Sequence, residues 1–197
     1  MSLECVRTEN IINGMKKSLN NADSLLHEAY LLQSNKVYVR AYTLCQLAIE
    51  ELAKVPMLFY LWIDRINGNT IDYEQLNRNF KDHPEKTKIS IESEIAFFKV
   101  YKERSGKDWV ENLIKKGEEL IPRVNELNNL KNESLYVTIK DDDFQAPDEV
   151  IDEEKFNNIY GTAVLRQIMF KNLVDGSEKG IDEIARLIKE GNSVEKV

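Results

Sequence analysis

Apolar residues recur three and four positions apart along most of this chain, the spacing that places them on one face of an α-helix. Ile11, Met15, Leu19, Ala22, Leu25, Leu26, Ala29 and Leu32 trace one such face and predict a first helix over 11–32. After the polar Ser34-Asn35, the stripe Ala41, Leu44, Ala48, Leu52, Val55, Phe59, Trp62 and Ile66 predicts a long second helix over 37–66. So short a connection implies an antiparallel hairpin. The second helix is also apolar off its stripe, through Tyr42, Cys45, Leu47, Ile49, Met57, Leu58 and Leu61, so it is expected at the centre, covered on most sides. Pro56 removes one backbone donor and is expected to bend this helix near Leu52.

Asn67-Gly68-Asn69 reads as a turn, residues 72–80 as a short helix and Asp82-His83-Pro84 as a break. A third long helix is predicted over 86–104, closed by Ser105-Gly106, and another over 109–135 with a kink at Pro122. Residues 137–150 read as an extended polar connection holding Asp141-Asp142-Asp143. Asp152 then caps a helix carrying Phe156, Ile159, Ala163 and Phe170. Asp175-Gly176 is expected to break that helix before a last amphipathic one with Ile181, Ile184 and Ile188, fraying after Gly191. The fold class is therefore all-α, a single-domain bundle of about six to seven helices over 1–197, with its core at about 10–190.

Composition supports this picture. Four prolines and eight glycines are few for the many chain reversals of a β architecture. A net charge of −7 argues against broad nonspecific nucleic-acid binding, which needs a basic footprint, although a local basic groove stays compatible with it. Cys5 and Cys45 lie in unlike contexts and suggest no disulfide framework; with no leader-like start, the expected location is the cytoplasm. The most apolar stretch, 43–63, is interrupted by Glu50, Glu51 and Lys54, so no membrane span is expected.

Those three charges are the first candidate site. Charges in an apolar helix are costly unless paired. Glu50 and Lys54 stand at i and i+4, so the structural reading is a pair on a narrow solvent strip, and the functional one is a polar pocket. His83 is the second candidate, in a helix break with Lys81, Lys86 and Lys88, where a residue type that changes charge near neutral pH meets cations suited to phosphate. The plainer reading is a capping segment with solvated lysines. Asp82, His83 and Glu85 are too close in sequence to face one ion together, and neither a metal nor a cofactor is expected. Lys131 and Tyr136, about 140° apart on a helix, read as a solvated cation and a half-buried anchor.

Taken together, Ala41-Tyr42-Thr43-Leu44 leading into Glu50-Glu51-Leu52-Ala53-Lys54, then His83 with Lys86, then Lys131-Asn132-Glu133-Ser134-Leu135-Tyr136, resemble the AbiV family of bacterial abortive-infection proteins in the HEPN superfamily. The resemblance spans about residues 20–148 and is most specific in the Glu-Glu-Leu-Ala-Lys stretch. It implies a HEPN-like helical bundle, homodimerisation and, as in many of the superfamily, a metal-independent ribonuclease built on Arg-Asn followed by His. Here Lys131-Asn132 stands at the Arg-Asn position and Tyr136 at the His position. Lysine keeps the charge without the bidentate fork, and tyrosine is a weaker base than histidine at neutral pH. Under that resemblance Lys131, Asn132, Tyr136 and His83 are the catalytic candidates, Glu50, Glu51, Lys54 and Lys86 line the pocket, and RNA is the substrate. The alternative is a non-catalytic interaction protein that binds a phage or host protein.

Overall fold

A computed structural model describes residues 2–194, with side chains described for residues 2–176. After a short 3₁₀ turn, α1 (Thr8–Ser34) and α2 (Tyr38–Asn67) form the antiparallel hairpin. They are followed by α3 (Tyr73–Asn79), α4 (His83–Ser105), α5 (Val110–Leu120) and α6 (Val124–Glu133). Then come the strands β1 (Thr138–Lys140) and β2 (Asp143–Gln145), the single turn α7 (Pro147–Val150) and the long α8 (Glu153–Val194).

The apolar periodicity explains the layout. Met15, Ala22 and Ala29 of α1 meet Ala41, Ala48, Leu52 and Val55 of α2, while Phe156, Ala163 and Phe170 of α8 close the same core. Small residues facing one another along α1 and α2 let the two backbones lie close. A second cluster joins Ile91, Ile95 and Phe98 of α4 to Val110 and Ile114 of α5. The helix α2 lies against α1, α4 and α8, the central position its all-round apolar character predicts.

Helix ends follow from local chemistry. Gly68 and Gly106 take φ of +69° and +63°, the left-handed cap that glycine adopts without a Cβ clash. Asp72, Asp82 and Asp152 each accept a backbone N–H of the following first turn.

Four expectations need correction. His83 and Pro84 do not form a break: with Asp82 as the cap, they are the first residues of α4, where a proline's missing N–H costs nothing. Pro122 does more than kink its helix, since residues Ile121–Arg123 turn 3₁₀ and separate α5 from α6. The connection over 137–150 is not all loop. Thr138, Ile139 and Lys140 pair with Gln145, Phe144 and Asp143, and Asp141 and Asp142 carry positive φ of 50° and 67° in the two-residue turn. Finally, α8 runs unbroken through Gly176, because one helical glycine costs only about 1 kcal/mol. It also continues past Gly191, where fraying is expected, to Val194; residues 195–197 and the side chains of Ile181, Ile184 and Ile188 lie outside the described residues.

Among the described residues no helix is long and apolar enough to cross a membrane.

Candidate functional site: a buried carboxylate at the foot of a basic cleft

Glu50 lies halfway along α2 on the side facing α4 and α6, and is only 2 % exposed. Its Oε1 accepts a 2.8 Å hydrogen bond from Lys131 Nζ on α6. Its Oε2 lies 3.2 Å from Lys86 Nζ on α4 and accepts from His83 Nδ1 at the start of that helix. Three helices thus converge on one carboxylate. Both lysines are buried, while the His83 side chain is about half exposed.

Burial is the largest single influence on the Glu50 carboxyl and pushes its pKa up. The hydrogen bonds from Lys131 and His83, with the charges of Lys131 and Lys86, together outweigh it and hold the group below the usual glutamate value. An ionised carboxylate only accepts, so the proton of the shared bond sits on His83 Nδ1 and the imidazole is oriented with Nε2 as its other polar atom. Two ammonium groups against one carboxylate leave the cluster net positive even with a neutral histidine.

Above this cluster is an open cleft of about 550 Å³. His83, Lys131, Asn132 and Tyr136 line it, with Lys81 and Asn128 beside them. Asn132, in the last turn of α6, and Tyr136, just beyond it, are exposed, Tyr136 to 65 %. All four catalytic candidates therefore share one cleft, and Glu50 and Lys86 support it from below. Among the described residues no three His, Cys, Asp or Glu side chains are grouped to hold a metal ion.

The pairing differs from the simplest expectation. Glu50 does not bond Lys54 along a solvent strip; Lys54 pairs with Glu51 and rests 5.3 Å from the Phe80 ring centroid, and neither Glu51 nor Lys54 lines the cleft. Lys131 is not solvated but 5 % exposed, and Tyr136 is not a half-buried anchor. Lys86, expected among solvated lysines, is buried too. Helical spacing says which residues share a face; it does not say whether a neighbouring helix brings a countercharge to that face.

Three residues that sequence reasoning passed over hold the cleft together. Ser134 Oγ donates to Lys131 O at 2.6 Å, and with that proton committed, Thr43 Oγ1 donates to Ser134 Oγ, also at 2.6 Å. Arg40 Nη1 donates to Leu135 O at 3.0 Å, closing the carbonyl end of α6 against α2. Thr43 lies inside the Ala41-to-Leu44 approach that drew notice, but no spacing rule links it to position 134.

Helices packed around a long central one, with a buried ionic cluster under a cleft that carries Lys131, Asn132 and Tyr136, fit a protein of the HEPN class. The family model that matches the chain is that of the AbiV HEPN proteins, over residues 10–167, and the chain belongs to that family of abortive-infection proteins. Searches of curated proteins and of solved structures give no significant match.

Proposed function

We propose that this protein is a toxin-like abortive-infection factor that cleaves RNA without a metal, acting in the cytoplasm as a homodimer of single HEPN-like domains. The observation that supports this reading is the Glu50–His83 bond at the foot of the cleft. The histidine missing from position 136 has a counterpart in His83, reached from the start of α4 rather than from the end of α6.

In this mechanism His83 Nε2 takes the proton of a ribose 2′-hydroxyl. The 2′-oxygen bonds to the adjacent phosphorus and the bond from phosphorus to the 5′-oxygen breaks. The leaving oxygen receives a proton from the Tyr136 hydroxyl or from the imidazolium of a second copy. Glu50 orients His83, while Lys131 and Lys86 supply positive potential beneath the phosphate and Asn132 positions it. The test is incubation of the purified protein with total RNA in EDTA. Cleavage that disappears in His83→Ala supports the proposal; no cleavage, or cleavage unchanged in His83→Ala and in Lys131→Ala with Tyr136→Phe, rejects it.

A second reading draws on a different feature. Ile139 and Phe144, register partners on the β1–β2 hairpin, are 74 % and 72 % exposed. Such an exposed pair of apolar side chains suits capture of a phage or host protein without catalysis. Pull-down from infected cells with wild type and with Ile139→Ser/Phe144→Ser tests it; a partner retained equally by both rejects the hairpin as its site.

A further inference from the structure

A second cavity, of about 260 Å³, lies apart from the basic cleft, between α2, α4, α8 and the α5–α6 segment. Its walls mix apolar side chains, among them Ile91, Leu127 and Ile159, with polar ones contributed by Gln46, Thr87 and Arg166. None of these residues lines the His83 cleft.

Arg166 is the informative group. Its side chain is 3 % exposed, and its only hydrogen bond among the described residues runs from Nε to Glu94 Oε2, at 2.6 Å. A guanidinium carries five N–H donors in a rigid fork. The single bond to Glu94 uses one of them, so Nη1 and Nη2 have no protein acceptor. Neither terminal nitrogen is fully buried, and the end of the fork belongs to a residue that lines a cavity, so both stay open to an acceptor that enters it. Paired terminal nitrogens of this kind match the two oxygens of a carboxylate or phosphate.

The other polar groups agree with an anionic head. Gln46 Nε2 donates to Thr87 Oγ1 at 2.9 Å, which fixes both side chains. Lys155, at the α8 end, also lines the space, with its ammonium donating to Val150 O and 3.9 Å from Asp152 Oδ2, and Glu94 does not line it. The apolar walls suit a hydrocarbon or aromatic body, and the volume is at the small end for ligand pockets.

We propose that this cavity is a binding site for a small amphipathic organic acid, whose acidic group pairs with the Arg166 fork while its apolar body lies between α2, α4 and α8. The proposal does not depend on RNA cleavage. Isothermal titration calorimetry with octanoate, and with octan-1-ol as its neutral counterpart, tests it. Octanoate is expected to bind one per chain and octan-1-ol at least tenfold more weakly. Arg166→Gln is expected to weaken octanoate by roughly tenfold or more, the scale of a lost charge-assisted pair. Because that change also removes the partner of Glu94, Asn158→Trp serves as a second variant: it narrows the mouth from an exposed position and leaves the Arg166–Glu94 bond in place. Loss of octanoate binding in Asn158→Trp with an unchanged melting temperature supports the site. No octanoate binding to wild type, equal binding of octan-1-ol, or binding unaffected by both substitutions overturns it.

Discussion

The carboxylate of Glu50 and the ammonium of Lys131, 81 positions apart in the chain, meet at 2.8 Å in the interior. The bond ties the middle of α2 to the last turn of α6, and Lys86 and His83 tie the same carboxylate to α4. Removing the carboxylate leaves two buried lysines without their countercharge. Glu50→Ala is expected to destabilise the fold by about 3–5 kcal/mol, the scale for breaking a buried ion pair from one side. Glu50→Gln, which keeps the shape and one acceptor, is expected to cost less. Chemical denaturation of the two variants checks the order.

The pH dependence has a defined sign. Glu50 in the folded protein titrates below its unfolded value, so folding is favoured by the ionised form. That contribution is fully present above the ordinary glutamate pKa of about 4.3 and is lost as pH falls through the lower folded value. Unfolding free energies from about pH 7 to about pH 3 are expected to fall more steeply in wild type than in Glu50→Gln. Equal slopes would mean that Glu50 does not carry this part of the acid sensitivity.

Within the cleft, the two proton-carrying candidates are expected to separate kinetically. His83→Ala should lower RNA cleavage by about 10²–10⁴-fold, the range for removing a general base. It should lower the melting temperature less than Glu50→Ala does, because Lys131 and Lys86 still meet the buried carboxylate. Tyr136→Phe should cost less than His83→Ala if a second copy's imidazolium protonates the leaving oxygen. Rate constants in EDTA, compared with melting curves, distinguish loss of chemistry from loss of fold.

Gly117 tests the packing of α5 against α4. A Cβ there would lie 2.7 Å from Ile95 Cγ1, near the root of that side chain rather than at its flexible end. The helix-propensity gain of about 1 kcal/mol is smaller than the strain of overpacking, so Gly117→Ala is expected to be net destabilising, by up to about 2 kcal/mol. Differential scanning calorimetry measures it.

Most of the helical architecture was legible from period alone. The 3.6-residue recurrence of apolar positions located α1, α2, α4 and the start of α8. The wide apolar coverage of α2 placed it at the centre, because a helix greasy on most sides has to be covered on most sides. Turn chemistry found the cap at Asp152 and the helix ends at Gly68 and Gly106, whereas the cap at Asp72 came only with the structure. The segment patterns 41–54 and 131–136 also pointed to the family. These are local properties, carried by residues within one or two turns of each other.

The charge pairing, by contrast, belongs to the tertiary structure. Glu50 had a sequence partner available at Lys54, and the fold rejected it in favour of Lys131 and Lys86, because α4 and α6 pack on the face of α2 that bears Glu50 and bring their ammonium groups with them. The Thr43–Ser134 bond and the Arg166 fork likewise join helices remote in sequence. An ionic bond in the interior is chosen by which side chains arrive together once water has been excluded. Periodicity decides which face of a helix turns inward, and only the packing of its neighbours decides what that face meets.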